Sequence, residues 1–346
     1  MTARRGRKLD FEHGVVELIH GGGGRATTQL IEELFLPAFH NPILAARNDQ
    51  AVMRMPAGEL AMSTDSFVVS PLFFPGGDIG TMAVHGTVND VAMSGAMPLY
   101  LSAGFILEEG LPLRDLRRIV QSMADAAHDA GVRIVTGDTK VVERGKGDGV
   151  FINTTGIGVR MQGVAPSVEK ARPGDAVIVS GTLGDHGIAI LSQREGIGFE
   201  TDVLSDCASL HRMVASLLEV CPNVRVLRDP TRGGLAATLN EIAEASGVGM
   251  ILNENAIPLD PQVEAACELL GLDPLHIANE GKLVAIVPID SVEDVLEVLH
   301  ADPLGRRAAL IGRVVEDPRH LVQIQGDFGG ARVLDWLAGE QLPGIC

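Results

Sequence analysis

Two spacings of apolar side chains recur along the first half of the chain, which predicts a mixture of helices and strands. Residues 113–130 carry apolar positions at helical spacing and stop at Gly131, a common residue at helix ends. Shorter apolar runs bounded by glycine, proline and aspartate are typical of strands. We therefore expect helices over 27–39, 79–94 and 113–130, and strands over 59–69, 97–107, 132–138 and 150–160.

A cluster of turn residues then separates two halves of the chain. Pro166 and the run from Arg172 to Asp175 interrupt the apolar pattern, and a continuous apolar strand follows at 176–181. A helix carrying His186, a long helix near 206–220 and further alternating elements follow. These patterns predict an α/β (α+β) protein with domains 1–168 and 169–328 and a tail 329–346.

Composition and charge narrow the classes of function. With 46% hydrophobic and 21% charged residues, the chain can bury a sizeable core. The net charge of −17 argues against a nucleic-acid partner, which would require a broad basic surface. Its 41 glycines cluster in short loops, which favours close approach of the backbone to a ligand.

Targeting and redox features indicate a cytoplasmic protein. No apolar run reaches the roughly 18 residues needed to span a bilayer, so we expect no membrane association. The basic start of the chain is not followed by the apolar region of a secretion signal. The four cysteines show no metal-ligand spacing, which is typical of reduced thiols in the cytoplasm.

Three aspartates in apolar surroundings indicate a Mg²⁺ site. Asp65 lies within a predicted strand, Asp90 within a predicted helix, and Asp138 at the end of another strand. An aspartate in an apolar element is costly unless it is paired or bound to a metal. Each one alone has an ordinary alternative: Asp65 or Asp138 can cap a turn, and Asp90 can lie on a solvated helix face.

Glycine-rich turns add a candidate site for an anion. Gly21 to Gly24 precede a predicted helix and leave backbone N–H groups open to a phosphate, although a flexible loop would have the same sequence. The Walker motif and the dinucleotide-binding motif are absent, so a bound nucleotide requires a different fold. Asp229 precedes two glycines and a helix, and either caps that helix or binds a ligand. Glu280 is either a loop residue or part of the site.

The chain ends in a cysteine, which is a candidate carrier of a reactive group. Pro343 and Gly344 discourage a terminal helix, so an extended tail from Gly339 to Cys346 would reach roughly 25 Å. Such a tail suits a thiol that receives a group at one site and delivers it to another. The alternative is an inert thiol in solvent.

Five motifs together with this cysteine resemble the HypE family of hydrogenase maturation factors, in the PurM-like superfamily of ATP-dependent enzymes. The motifs lie at 89–96, 136–142, 180–187, 229–235 and 279–282. The resemblance implies two α/β domains, with the N-terminal domains of two chains pairing into a β-barrel dimer core. Gly344 departs from the family, which usually has arginine there, and a nearby cation would favour the thiolate.

The resemblance also implies an activity and its partners. A HypF-like carbamoyltransferase would load a carbamoyl group onto the terminal thiol. The enzyme would dehydrate this thiocarboxamide to a thiocyanate with ATP and Mg²⁺. The cyano group would then pass to iron on a HypC–HypD complex, for the [NiFe]-hydrogenase.

Roles for individual residues follow from the same resemblance. Cys346 would act as nucleophile and carrier, and Lys140 and Glu280 would share the removal of protons from the amide. Lys140 has an alternative as the ion-pair partner of Asp138 or Glu143. The metal and nucleotide would be held by Asp65, Asp90, Asp138, Gly21, Gly22, Gly23, Gly24, Asn89, Thr139 and Asp229.

Two other functions fit part of these features. One is another ATP-dependent enzyme of the superfamily, such as selenophosphate synthetase or thiamine-phosphate kinase. Selenophosphate synthetase would be expected to have a reactive cysteine near the N-terminal glycine loop, whereas the first cysteine here is Cys207. The other is a non-catalytic ATP-binding scaffold that presents Cys346 to partner proteins. Turnover of ATP separates an enzyme from a scaffold.

Overall fold

The structure is a computed structural model that describes residues 8–194, 201–326, 329–337 and 345. In its first half, a four-stranded sheet has the order β1-β6-β4-β5. The long strand β4 pairs antiparallel with β6 and parallel with β5, so strands distant in sequence become neighbours. The strands of this half are β1 (Leu60–Phe67), β2 (Phe73–Phe74), β3 (Gly77–Asp78), β4 (Ala96–Glu108), β5 (Arg133–Val142) and β6 (Val150–Arg160).

Helices cover one face of this sheet. The central helix packs against β1, β4 and β6, and Asp78 caps its start by accepting hydrogen bonds from Gly80 N and Thr81 N. The predicted helix over 113–130 is confirmed, and it ends at Gly131, whose φ of 71° is left-handed. The helices are α1 (Arg25–Leu30), continued by a π-helix (Ile31–Phe35) and α2 (Leu36–Ala38), then α3 (Pro42–Ala45), α4 (Ile79–Met93) and α5 (Leu113–Ala130).

The other face of the sheet has no helix against it among the described residues. Along β1 the buried or half-buried side chains alternate with exposed ones, as expected for a sheet covered on one side. Apolar side chains occur on the open side: Leu60 is 62% exposed and Met62 is 70% exposed. We call this side the open face, and the helix-covered side the inner face.

The second half contains a seven-stranded sheet of order β13-β12-β9-β11-β7-β10-β8. Its interior strand β7 is buried on both faces, as its continuous apolar sequence predicts. On one face, Val177 packs with the core under the helix Gly234–Ser246. On the other face, Ile178 packs with the core under the helices His211–Val220 and Val292–Ala301. The strands are β7 (Ala176–Val179), β8 (Val226–Arg228), β9 (Gly249–Asn253), β10 (Val284–Val287), β11 (Ala309–Val315), β12 (Val322–Gln325) and β13 (Ala331–Val333).

The helices of the second half match the predicted pattern with one exception. The helices are α6 (Asp185–Leu191), α7 (His211–Val220), α8 (Gly234–Ser246), α9 (Pro261–Leu270) and α10 (Val292–Ala301). The long helix expected near 206–220 is wrong in its first turn, because α7 begins at His211. Residues 205–210, which we call the strap, are non-helical since their polar groups bond to other elements instead. The mixed α/β architecture is confirmed.

None of the helices in the described part of the chain combines the length and apolar character needed to cross a bilayer.

The contact between α4 and the strap contains a histidine that is neutral at physiological pH. His85 Nδ1 lies 2.6 Å from Ser209 Oγ. Burial lowers the pKa of His85 to about 4, opposed by the charge of Asp129 and reinforced by His211. The unfolded chain takes up the proton near its ordinary pKa of about 6.5, whereas the folded chain does not. Stability is therefore lost as the pH falls below that value.

We expect His85 to destabilise the fold by about 2 kcal/mol when the pH falls from about 7 to about 5. His85→Gln keeps a polar partner for Ser209 but does not titrate. Between about pH 7 and about pH 5 this variant should therefore lose about 2 kcal/mol less stability than the wild type. Urea unfolding of both proteins at the two pH values measures the difference. Equal losses in both proteins would contradict the neutral, buried state of His85.

Candidate active site

Four carboxyl groups from both halves of the chain gather on the inner face. Asp65 lies on β1 and Asp90 lies on α4. Asp90 Oδ2 accepts a 2.6 Å hydrogen bond from Ser63 Oγ. Asp229 follows β8, and Glu280 precedes β10. We call these four residues the inner carboxylate cluster.

Burial raises the pKa of every member of the cluster, and repulsion from neighbouring carboxylates adds to this for Asp65, Asp229 and Glu280. Burial, followed by the charge of Asp90, raises the pKa of Asp65 and brings that of Asp229 to about 7. Burial also raises the pKa of Asp90. For Glu280, burial raises the pKa well above its ordinary value, and Asp206 adds to this effect. Such a concentration of acidic groups favours binding of a cation.

The cluster does not form a closed metal cage by itself. Among the residues that the structure describes, no group of three histidine, cysteine or acidic side chains is arranged to hold a metal ion. A cation at this site would therefore need further oxygen ligands from elsewhere. Nucleotide phosphates and water commonly supply such ligands to Mg²⁺.

Glu280 is held by its backbone, so its side chain has a defined position. The residue is 4% exposed, its N–H donates to Asp206 Oδ1 at 3.0 Å, and its carbonyl accepts from Asn89 Nδ2 at 3.3 Å. The carboxylate lies near Gly86 on α4, where an added Cβ would be in ordinary contact with Glu280 Oε2, at 3.9 Å. The carboxylate therefore faces α4, on the inner face of the N-terminal sheet.

A buried ion pair fixes the strap beside Glu280. Lys282 Nζ lies 3.1 Å from Asp206 Oδ2 and 3.4 Å from Asp185 Oδ2. Burial opposes ionisation of Asp206, but Lys282 overcomes it and lowers the pKa of that carboxyl. Gly281 packs so closely that a Cβ there would lie 1.8 Å from the carbonyl oxygen of Asp206. Sequence reasoning missed Asp206 and Lys282, although Lys282 belongs to the motif at 279–282.

Asn89 supports this arrangement from α4. Its Nδ2 donates to the carbonyls of Ala208 and Glu280, and its Oδ1 accepts from Leu210 N at 2.7 Å. These bonds join the two halves of the chain beside Asp90. The predicted role of Asn89 in nucleotide binding stays a prediction, and its amide is already engaged with the protein backbone.

Asp138 and Lys140 lie on the opposite, open face of the N-terminal sheet. Both are exposed on β5, and they form an ion pair with Lys140 Nζ 2.9 Å from Asp138 Oδ2. The hydrogen bond from Lys140 lowers the pKa of Asp138. With Ser66 and Asn153 they line a groove of about 500 Å³, which we call the open-face groove.

The predicted site residues are therefore divided between two faces. Asp65, Asp90, Asp229 and Glu280 share the inner face, whereas Lys140 and Asp138 occupy the open face. Within a single chain, the structure does not bring Lys140 to the carboxylate of Glu280. Sequence spacing could not reveal this division, because it depends on which side of β5 each residue occupies.

The glycine loop lies against the end of β5 near Asp138. Gly21 packs on Val141, where an added Cβ would lie 2.5 Å from the backbone nitrogen, and Gly23 has a left-handed φ of 75°. Beside this loop is a mainly apolar cavity of about 140 Å³. Its lining includes Thr27, Ile31, Phe35, Phe105, Asp138 and Thr139.

The terminal cysteine, Cys346, and Gly344 lie outside the described residues, but Ile345 is described. Ile345 is 3% exposed and joins the same buried apolar cluster as Ile190 and Ala278. Its carbonyl oxygen lies 3.0 Å from His186 Nε2. Ile345 is therefore docked in the interior, in the same cluster as Ala278, which lies two residues before Glu280 in the sequence.

Comparison with known proteins identifies this arrangement. The N-terminal domain of the AIR synthase related proteins matches residues 47–160, and their C-terminal domain matches residues 172–325. Carbamoyl dehydratase HypE of Cupriavidus necator is 63% identical over 341 residues, covering 98% of this chain and 97% of the relative. The two matched domains define an AIR synthase related protein of the PurM-like superfamily.

Two solved structures similar to this chain are also HypE proteins. A HypE structure in complex with ATP is 56% identical, with a TM-score of 0.91, and covers 95% of this chain and 99% of that one. A HypE chain from a HypE–HypF complex is 49% identical, with a TM-score of 0.79, and covers 89% of this chain and 99% of that one. The chain belongs to the carbamoyl dehydratase HypE family of hydrogenase maturation proteins. The predictions of this family and of an enzyme are confirmed.

Proposed function

We propose that the chain dehydrates a carbamoyl group carried on Cys346, using ATP, and so supplies the cyanide ligands of [NiFe]-hydrogenase iron. The observation that carries this proposal is the burial of Ile345 beside the inner face, because the residue that follows it is the terminal cysteine. A docked tail delivers its cargo to a site that excludes water. Water exclusion suits a dehydration, since it removes the competing hydrolysis.

The proposed reaction has two steps, phosphorylation of the carbamoyl oxygen and elimination of phosphate. The carbamoyl oxygen attacks the γ-phosphorus of ATP, and ADP leaves; the carbon then carries a phosphate ester and, after loss of one proton, a C=N bond. Loss of the second nitrogen-bound proton and expulsion of phosphate give the S–C≡N group. Phosphorylation is needed because an amide oxygen is a poor leaving group, whereas phosphate leaves readily.

Glu280 is the proposed base for a nitrogen-bound proton. Its pKa is raised by burial, and a carboxylate with a raised pKa is a stronger base once it has lost its proton. Its backbone bonds to Asp206 and Asn89 hold it in place. Glu280 is therefore already in position when the substrate binds, which favours catalysis.

The nucleotide and its metal are assigned from the geometry and from the relative solved with ATP. The apolar cavity next to Thr139 suits the adenine ring, and the loop Gly21–Gly24 suits the phosphates. Mg²⁺ fits the oxygen donors of Asp65, Asp90 and Asp229, with phosphate oxygens completing its shell. When bound, the metal would neutralise charge on the transferring phosphoryl group.

A homodimer accounts for the open face and for the position of Lys140. Exposed apolar side chains such as Leu60 and Met62 would be covered if two N-terminal sheets closed into a barrel. Asp138 and Lys140 would then lie in the interface. From there they can serve the site of the second chain, with Lys140 orienting the amide or stabilising charge on its oxygen.

The partners follow from the group that is carried. The solved HypE–HypF complex supports a HypF-like carbamoyltransferase as donor to Cys346. The proposed acceptor of the cyano group is iron on a HypC–HypD complex. The tail must therefore leave its docked position to meet each partner.

ATP turnover separates this enzyme from a scaffold that only presents Cys346. We expect phosphate release to depend on carbamoyl loading, because the carbamoyl oxygen is the acceptor of the phosphoryl group. Phosphate is measured with the purified chain, ATP and Mg²⁺, with and without the carbamoyltransferase and carbamoyl phosphate, after subtracting the release by the transferase alone. ATP binding without turnover in the loaded chain would support the scaffold.

A further inference from the structure

His186 makes a direct contact with the docked tail that the reaction itself does not require. The side chain lies on α6, fully buried, with its ring edge-on to Phe74 at 5.5 Å between centroids. Its Nε2 is 3.0 Å from the carbonyl oxygen of Ile345, and its Nδ1 is 2.8 Å from Ser205 Oγ. Both ring nitrogens therefore have a partner.

The partners define which nitrogen carries the proton. A carbonyl oxygen can only accept a hydrogen bond, so Nε2 carries the hydrogen and Nδ1 accepts from the Ser205 hydroxyl. Burial lowers the pKa of His186 and so keeps the ring neutral, although the charge of Asp206 opposes this. The result is a single donor directed at the backbone one residue before Cys346.

The same residues connect the tail to Glu280. Ser205 Oγ also accepts a hydrogen bond from Cys207 N at 3.2 Å, and Asp206 accepts from Glu280 N. The strap thus holds the ring that contacts the tail and the backbone of the proposed base.

We propose that His186 is a positioning residue that anchors the C-terminal tail in its docked state. The proposal rests on the proposed function only in treating the docked tail as the one that reacts. The bond goes to a backbone carbonyl, so it tolerates release and rebinding without any covalent change. It raises the population of the docked tail and does not take part in the loading of Cys346.

The test compares His186→Leu with His186→Gln. Leucine has a similar size but no donor, whereas the glutamine amide places a donor at nearly the position of Nε2. Losing the donor leaves a buried carbonyl unpaired, so we expect the equilibrium constant for docking to fall roughly tenfold in His186→Leu. His300→Leu is the matched control, because His300 Nε2 also bonds a backbone carbonyl, that of Ala308, at 2.8 Å.

The readout is alkylation of Cys346 by N-ethylmaleimide in the full chain, without ATP or partner proteins, followed by peptide mass spectrometry. We expect roughly tenfold faster labelling of Cys346 in His186→Leu, and wild-type rates in His186→Gln and His300→Leu. Equal rates in His186→Leu and wild type would overturn the proposal. So would equally fast labelling in His186→Leu and His186→Gln, since the donor would then be irrelevant.

Labelling of Cys221 and Cys267, which are buried, reports on unfolding in the same experiment. If His186→Leu exposes them, Ser205→Ala replaces it: this variant frees Nδ1 and is expected to raise Cys346 labelling by a smaller factor. An unchanged rate in Ser205→Ala would then overturn the proposal. Since no step of this assay uses carbamoyl chemistry, a wrong reaction assignment and a wrong anchor give different results.

A second readout separates anchoring from a purely structural role. In His186→Leu, carbamoyl loading of Cys346 should proceed at or above the wild-type rate, while the ATP-dependent water loss slows in proportion to the fall in the docked population. Equal slowing of both steps would indicate a damaged fold and would contradict the anchor.

Discussion

Cys346→Ala is expected to abolish carbamoyl acceptance, with a loss of at least about a thousandfold, while ATP binding is retained. Removing the attacking nucleophile eliminates the covalent step, and comparable losses are seen when catalytic nucleophiles are deleted from other enzymes. The proposed nucleotide site uses other parts of the chain, so the affinity for ATP should not depend on the thiol. Carbamoylation is measured by intact mass, and ATP binding by calorimetry.

Cys267→Ala is the matched control, since this thiol lies on the buried side of α9 and burial raises its pKa to about 11. A thiol with that pKa stays protonated and is a poor nucleophile. This variant should accept the carbamoyl group as the wild type does. Carbamoylation that persists in Cys346→Ala would refute the role of Cys346 as carrier.

Glu280→Gln is expected to slow the water-loss step by about a hundredfold to ten-thousandfold, the range typical for loss of a general base. Loading of Cys346 should continue, because it occurs on the undocked tail, so the carbamoylated chain should accumulate. Glutamine is nearly isosteric and removes a buried acid, which favours a folded variant. Mass spectrometry over time, with ATP present, follows both steps.

Glu264→Gln is the corresponding control on the exposed surface of α9, and it should dehydrate at the wild-type rate. If Glu280→Gln loses water as fast as this control, Glu280 is not the base. If it fails in loading as well, the defect lies in the fold instead.

Local sequence signals predicted most of the N-terminal framework. The helical spacing over 113–130 and the short apolar run around Asp65 depend on neighbouring residues, so both elements follow from the sequence. The continuous apolar run at β7 likewise predicted a strand buried on two faces. The terminal cysteine and the motifs around Asp90 and Glu280 pointed to the family that the comparisons confirmed.

Long-range geometry accounts for what the sequence concealed. Residues 206–210 have a helical pattern, yet Asn89 and Lys282 draw their polar groups into bonds that a helix would not allow. Asp206 consequently looked like an ordinary helix residue. The separation of Lys140 from Glu280 follows from the pairing of β4 with β5, a contact between segments far apart in sequence.

The individual metal and nucleotide contacts stay predictions for the same reason. Asp90 lies close enough to Asp65 and Asp229 for its charge to raise the pKa of both, a proximity that spacing alone could not establish. Asp138 pairs with Lys140 on the other face of the sheet. Its assignment to the same Mg²⁺ depends on the second chain of the proposed dimer.

Intact-mass analysis of the full chain tests the central claim most directly. The chain is mixed with a HypF-like carbamoyltransferase, carbamoyl phosphate, ATP and Mg²⁺, and its mass is followed over time. The account predicts addition of one carbamoyl group on Cys346, followed by loss of one water only when ATP can be hydrolysed. A carbamoyl group that stays intact while ATP is consumed, or one attached to a different residue, would contradict it.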